Sequence, residues 1–195
     1  MGGQEPTPSK TNVIMAQLVI IRGKCDAGKT TTCWFVYQQL VSLTGTSMAT
    51  PSDVFTQSHP QHQVWFGHTH YYMRDVHPIG FSAQGNPCDF KALIDINNAK
   101  GELKKVAIIS AGDNPDLLRN DIAIFEFMGA DVIVICNRTR GRSVALIHHI
   151  TSTFPSLTVA RRRFSATRNR GNNATIYGTK HSLATDIVNY IQTII

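Results

Sequence analysis

Ile20-Ile21-Arg22-Gly23-Lys24-Cys25-Asp26-Ala27-Gly28-Lys29-Thr30-Thr31 decides how the rest of the chain is read. An apolar run, Leu18 to Ile21, precedes it, and a helix-like segment from Thr31 to Leu43 follows. The core, Gly23-xxxx-Gly28-Lys29-Thr30, satisfies the phosphate-binding loop pattern in the strand–loop–helix context that pattern needs. Glycines let backbone N–H groups turn inward around a phosphate chain, and the helix N-terminus adds partial positive charge. Residues 23–31 are therefore the expected cradle of a nucleoside triphosphate. Lys29 supplies a point charge to the β- and γ-phosphates, and the Thr30 hydroxyl is the expected magnesium ligand.

Lys24, directly after the first glycine, makes the loop read G-K-x-x-x-G-K-T-T. This resembles the deviant Walker A loop, G-K-G-G-x-G-K-T-T, of the ParA/MinD family of dimeric ATPases. The resemblance implies that Lys24 reaches across a two-fold axis to the phosphates of a partner subunit. A solvated loop lysine is the alternative. Cys25 and Asp26 stand where the family has two glycines, and Asp26 puts a carboxylate near a polyanion.

The chain is 195 residues long, enough for one domain with a substantial core, and its 42% hydrophobic and 16% charged residues give an ordinary globular balance. No apolar run reaches the ~20 residues of a membrane span, and the start has no signal-peptide pattern. Residues 1–12 are rich in Gly, Pro, Ser and Thr and read as a loose tail ahead of a domain over 13–195. Cys25, Cys33, Cys88 and Cys136 form no C-x-x-C pair, as expected of free thiols in a reducing cytoplasm.

The expected fold is a mostly parallel α/β sheet with helices on both faces and the nucleotide at the C-terminal strand ends. Periodicity predicts strands over 13–21, 63–66, 106–109, 131–136 and 157–160. It predicts helices over 29–43, 89–99, 116–128, 143–153 and 179–195. Residues 46–90 carry four prolines and five histidines and read as a polar flap. His68 and His70 could share a face of a strand, but neither cysteine nor carboxylate stands at a supporting metal spacing.

Strand 106–109 is where phosphate-loop proteins place a magnesium-holding aspartate. Here Ser110 takes that position and Asp113 follows three residues later, so the hydroxyl and the carboxylate share the role, or metal binding is weak and turnover slow. Asp113-Asn114-Pro115-Asp116 also reads as the cap of the next helix. The resemblance implies a water-polarising aspartate past the loop, for which Asp53 and Asp75 are the candidates. Asn137, at the end of the strand over 131–136, is the adenine contact that the resemblance implies, and an Asn there is also a common turn former. Arg138 and Arg140 follow it, where a guanine reader would carry a lysine and an aspartate.

Between Asp131 and Asp186 there is no acidic residue. Arg138, Arg140, Arg142, Arg161, Arg162, Arg163, Arg168 and Arg170 lie there with Lys180. Such a field suits sequence-independent contact with DNA phosphates, or a lid over a nucleotide. MinD proteins end in a membrane-binding amphipathic helix. The last helix here has no basic polar face, which favours docking on the sheet.

The resemblance implies an ATP- and magnesium-dependent, slowly hydrolysing dimerisation switch. Within the group, the short chain and altered loop look like the StbB/TraL-type proteins of plasmid stabilisation and conjugative transfer. Lys29 and Thr30 would hold phosphates and metal, Lys24 would act across the homodimer, and Asp113 with Asp53 or Asp75 would serve metal and water. A small-molecule phosphotransferase with an arginine lid and a non-catalytic nucleotide-binding scaffold are the rivals.

Overall fold

A computed structural model describes residues 16–24, 27–44, 62–66, 89–154, 156–168 and 172–195. Its strands are β1 (Ala16–Arg22), β2 (His62–Phe66), β3 (Phe90–Asn97), β4 (Leu103–Ile109), β5 (Val132–Asn137), β6 (Leu157–Val159) and β7 (Phe164–Ser165). Its helices are α1 (Lys29–Leu43), α2 (Pro115–Phe127), α3 (Arg142–Thr153) and α4 (Asn173–Ile194). The sheet runs β2-β3-β4-β5-β1-β6, and β7 continues along the edge of β1 that β6 begins. β4, β5, β1, β6 and β7 are parallel, and β3 alone is reversed, pairing antiparallel with β2 on one side and β4 on the other. The expected α/β class with helices on both faces is therefore observed, as a mixed sheet.

β5 is buried at every position and β4 over its last four, because each is covered on both faces. On one face α1 and α4 pack over Val19, Ile21, Ile108, Val134 and Cys136. On the other, Leu118, Ile122 and Phe125 of α2 and Ile147 and Ile150 of α3 cover Leu18, Ile20, Ile133 and Ile135. Each fully covered Leu, Ile or Phe contributes about 1.5–3 kcal/mol relative to exposure. α4 packs chiefly against α1, and its apolar stripe of Ala184, Ile187, Val188 and Ile191 joins the core on this face of the sheet. No helix among the described residues is long and apolar enough to cross a membrane.

Local signals place several boundaries. Asn114 caps α2, accepting from the N–H groups of Asp116 and Leu117, with Pro115 at the first helical position. Gly129 ends that helix at φ 78°. α4 begins at Asn173, six residues ahead of the expected Thr179, because the Asn172 side chain caps it through the Thr175 N–H. β7 is an additional short strand, held where Arg161 to Arg163 loop out between two stretches that pair with β1.

The helix expected over 89–99 is instead strand β3. Phe90, Ala92, Ile94 and Ile96 are all buried, a period of two that coexists with the helical spacing of Phe90, Leu93 and Ile94. Asn98 decides between them. Its side-chain oxygen accepts from the N–H groups of Lys100 and Glu102, and Gly101 turns at φ 77°, folding the chain back as an antiparallel hairpin onto β4. Asp95 then sits in register with Lys105 and bonds its ammonium at 2.9 Å.

Candidate phosphate and metal site

β1 lies between β5 and the β6–β7 edge, and both neighbours grip the point where it becomes a loop. The Gly23 N–H donates to the Asn137 carbonyl at 3.1 Å, and the Ala166 N–H donates to the Arg22 carbonyl at 2.7 Å. A Cβ on Gly23 would lie 2.9 Å from the Ala166 carbonyl, so glycine is what lets the strands close there. The Lys24 carbonyl accepts from the Ala27 N–H at 3.3 Å and from the Lys29 ammonium at 3.0 Å, which closes the loop on itself. Gly28 enters α1 in the left-handed region, φ 75° and ψ 30°, a conformation that favours glycine.

A cavity of about 220 Å³ opens at this end of the sheet, lined by Ala27, Gly28, Lys29, Thr30, Asp89, Ser110, Gly112 and Asp113. Three segments far apart in sequence meet there: the loop after β1, the turn after β4, and the residue just before β3. The Thr30 hydroxyl donates to Asp89 Oδ1 at 2.9 Å. Ser110 accepts from the Phe90 N–H at 2.8 Å through Oγ and lies 3.4 Å from the same Asp89 oxygen. A carboxylate is thus brought to the end of β4 from the residue that precedes the neighbouring antiparallel strand, and the Ser110 hydroxyl lies against it.

Asp89 is a cavity residue absent from the expected site. The helical spacing puts it inside a helix, whereas β3 runs antiparallel and brings the residue just before it to the end where the parallel strands finish. The available signal was the period-two run beginning immediately after it.

Asp113 lines the cavity, and Arg138 holds its carboxylate in a bidentate pair, Nε to Oδ1 at 2.6 Å and Nη2 to Oδ2 at 2.7 Å. That bond, aided by the charges of Arg138 and Lys29 and opposed by partial burial, holds the Asp113 pKa below its ordinary value. Gly112 lies flat on β5: a Cβ there would come within 1.9 Å of the Cys136 carbonyl oxygen. Lys24 is exposed and does not line the cavity. Lys29, Thr30 and Thr31 are half-buried at the start of α1. Asn137 is fully buried, and neither of its amide atoms has a hydrogen-bond partner among the described residues. Cys25, Asp26, Asp53, Asp75 and Arg170 lie outside the described residues, as do His59, His68, His70 and His77.

The arginines fall in two places. Arg138, Arg140 and Arg142 follow β5, and Arg168 follows β7, at the cavity end of the sheet. Arg161, Arg162 and Arg163 occupy the loop between β6 and β7, where the Arg162 guanidinium stacks 5.1 Å from the centre of the Phe164 ring. All seven described arginines in this half are exposed.

Cys33 and Cys136 are buried free thiols with sulfurs 3.2 Å apart, and their mutual contact and burial push the Cys33 thiol pKa up. Among the described residues no group of three or more His, Cys, Asp or Glu side chains converges as a protein-only metal cage. A magnesium that shares its coordination with phosphates and water needs only one or two protein ligands. The Thr30 hydroxyl beside Asp89 fits that demand. No protein-family model, curated protein or solved structure matches this chain.

Proposed function

We propose that the chain binds ATP with magnesium in the cavity at the end of β1 and hydrolyses it slowly as a dimerisation switch of the ParA/MinD type. The observation that carries this reading is the Thr30–Asp89 bond at 2.9 Å beside the loop that ends in Gly28-Lys29. Backbone N–H groups, the α1 N-terminus and Lys29 offer positive charge for a polyphosphate, while a hydroxyl and a carboxylate offer hard oxygen ligands for its metal. Bound magnesium would neutralise charge between the β- and γ-phosphates. Thr30 would ligate it directly, with Asp89 accepting from the hydroxyl or from a metal-bound water. Ser110 fixes the Asp89 carboxylate, and Asp113 stands across the cavity, held by Arg138.

Lys24 supports the dimeric part of the reading, because it is exposed on the loop that leads into the cavity and can reach a second subunit. The exposed arginines support contact with DNA phosphates by the assembled dimer, in a plasmid partition, stabilisation or conjugative-transfer role in a reducing cytoplasm. One observation favours the phosphotransferase reading: Arg138, Arg140, Arg142 and Arg168 emerge at the cavity end of the sheet, where a lid would stand.

Calorimetric titration with ATP, with and without magnesium, tests the site, with Lys29→Ala as control. Light scattering after size-exclusion chromatography tests the switch. Magnesium-ATP is expected to double the mass of the wild-type chain and to leave Lys24→Ala monomeric but still nucleotide-bound. Absence of magnesium-dependent ATP uptake by the wild type ends the proposal. Phosphate transfer to an added small acceptor without a change of mass favours the kinase instead.

A further inference from the structure

The cavity beside Thr30 encloses about 220 Å³, below the ~300–1,000 Å³ usual for sites that enclose a whole small molecule. It suits phosphates and a metal, and it leaves the nucleoside half of the ligand unhoused. Asn137, the expected base contact, is fully buried and is not part of the cavity wall.

A second hollow, of about 490 Å³, lies beyond Gly28, between the segment after β7 and the exposed side of α4. Ser165, Thr167, Thr179, Ser182 and Asp186 line it with hydroxyls and one carboxylate, and Lys180 stands at its inner end. Lys180 also touches the loop: a Cβ on Gly28 would lie 2.6 Å from its Cε and 3.5 Å from its Nζ. The two hollows are therefore separated by the Gly28–Lys180 contact.

The environment of Lys180 is unusual for a lysine. The residue is only 2% exposed, and its ammonium donates to the Thr167 carbonyl. Among the described residues no carboxylate lies within ion-pair distance of it. A buried charge is costly unless an opposite charge meets it. An anion on the Gly28 backbone would be within a few ångströms of this ammonium, where partial burial strengthens attraction.

The geometry points to Lys180 as a further phosphate-binding cation of the loop, and to the hydroxyl-lined groove beside it as the seat of the nucleotide's sugar. This rests on the nucleotide reading above and deepens it. Lys180 provides charge at the junction of the two hollows. Asp186 and Ser182 provide acceptor and donor groups of the kind that ribose hydroxyls satisfy.

Titration of the full chain with magnesium-ATP and, separately, with inorganic tripolyphosphate separates the two parts. Lys180→Met is expected to weaken both ligands roughly ten- to hundredfold, as loss of a charge-assisted contact does. Lys180→Gln can still donate to the Thr167 carbonyl but carries no charge. It is expected to lose as much affinity as Lys180→Met. Ser182→Phe, on the exposed side of α4, is expected to weaken ATP about tenfold and tripolyphosphate less than twofold. Wild-type affinity for tripolyphosphate in Lys180→Gln overturns the charge role. Wild-type ATP affinity in Ser182→Phe overturns the sugar seat. If Lys29→Ala abolishes binding while the Lys180 and Ser182 variants bind as wild type, the loop reading stands and this inference falls. If the wild type binds neither ligand, the loop reading itself has failed.

Discussion

Replacing Gly112 by alanine tests how the cavity wall is held. The new Cβ would sit 1.9 Å from the Cys136 carbonyl oxygen and 3.2 Å from the Asn137 nitrogen. Both are backbone atoms of the fully buried strand β5, so no side chain can rotate away to relieve the contact. The Ser110–Asp113 turn must lift by more than an ångström, drawing Asp113 away from Arg138. Overpacking a rigid site costs about 1–3 kcal/mol, and a backbone neighbour puts this one at about 3 kcal/mol. Gly101 supplies the control. It has a positive φ of 77° but nothing within 4 Å of its Cβ position, so Gly101→Ala carries only the left-handed penalty of about 1–2 kcal/mol. With a urea slope of about 2 kcal/mol per molar, Gly112→Ala lowers the unfolding midpoint by about 1.5 M and Gly101→Ala by about 0.5–1 M. Circular dichroism measures both. Gly112→Ala is also expected to weaken ATP in calorimetry, whereas Gly101→Ala leaves binding unchanged. A Gly112→Ala midpoint at or above that of Gly101→Ala, with wild-type ATP affinity, would refute the packing of this turn on β5.

Further expectations concern the charged groups. Asp89→Asn keeps a partner for Thr30 but removes the carboxylate, so the gain in ATP affinity on adding magnesium should fall by about tenfold or more, seen as convergence of titrations with and without the metal. For Asp113 the folded pKa is depressed, so its contribution to stability is present above the ordinary aspartate value near 3.9 and is lost as pH falls through the lower folded value. Denaturation of Arg138→Ala against wild type should therefore show a difference above about pH 4 that closes in more acidic solution. The half-exposed pair makes that difference small. If the arginine field meets DNA, the logarithm of the association constant falls linearly with that of salt, at about −0.9 per neutralised phosphate. Charge-removing double substitution at Arg140 and Arg142 should flatten that slope by about 2 if both touch the backbone; an unchanged slope assigns them elsewhere.

Residue order alone sufficed for the local parts of this protein. The Gly23-to-Thr30 pattern, helix α1 over 29–43, the apolar runs of β4 and β5, and the capped start of α2 all depend on groups a few residues apart. Backbone turns, caps and helical periodicity operate at that range, so those parts were legible before any fold was known. Tertiary structure decided the rest. Phe90 to Ile96 satisfies both a helical and a strand period, and only the hairpin with β4 selects the strand. That choice carries Asp89 to Thr30 across 59 positions of sequence. The parallel pairing of β4 with β5 takes Asp113 into the grip of Arg138, while α4 returns Lys180 to Gly28 from the far end of the chain. Such meetings are set by strand order, register and close packing, which arise from the cooperative burial of the whole sheet and leave no trace in any short stretch.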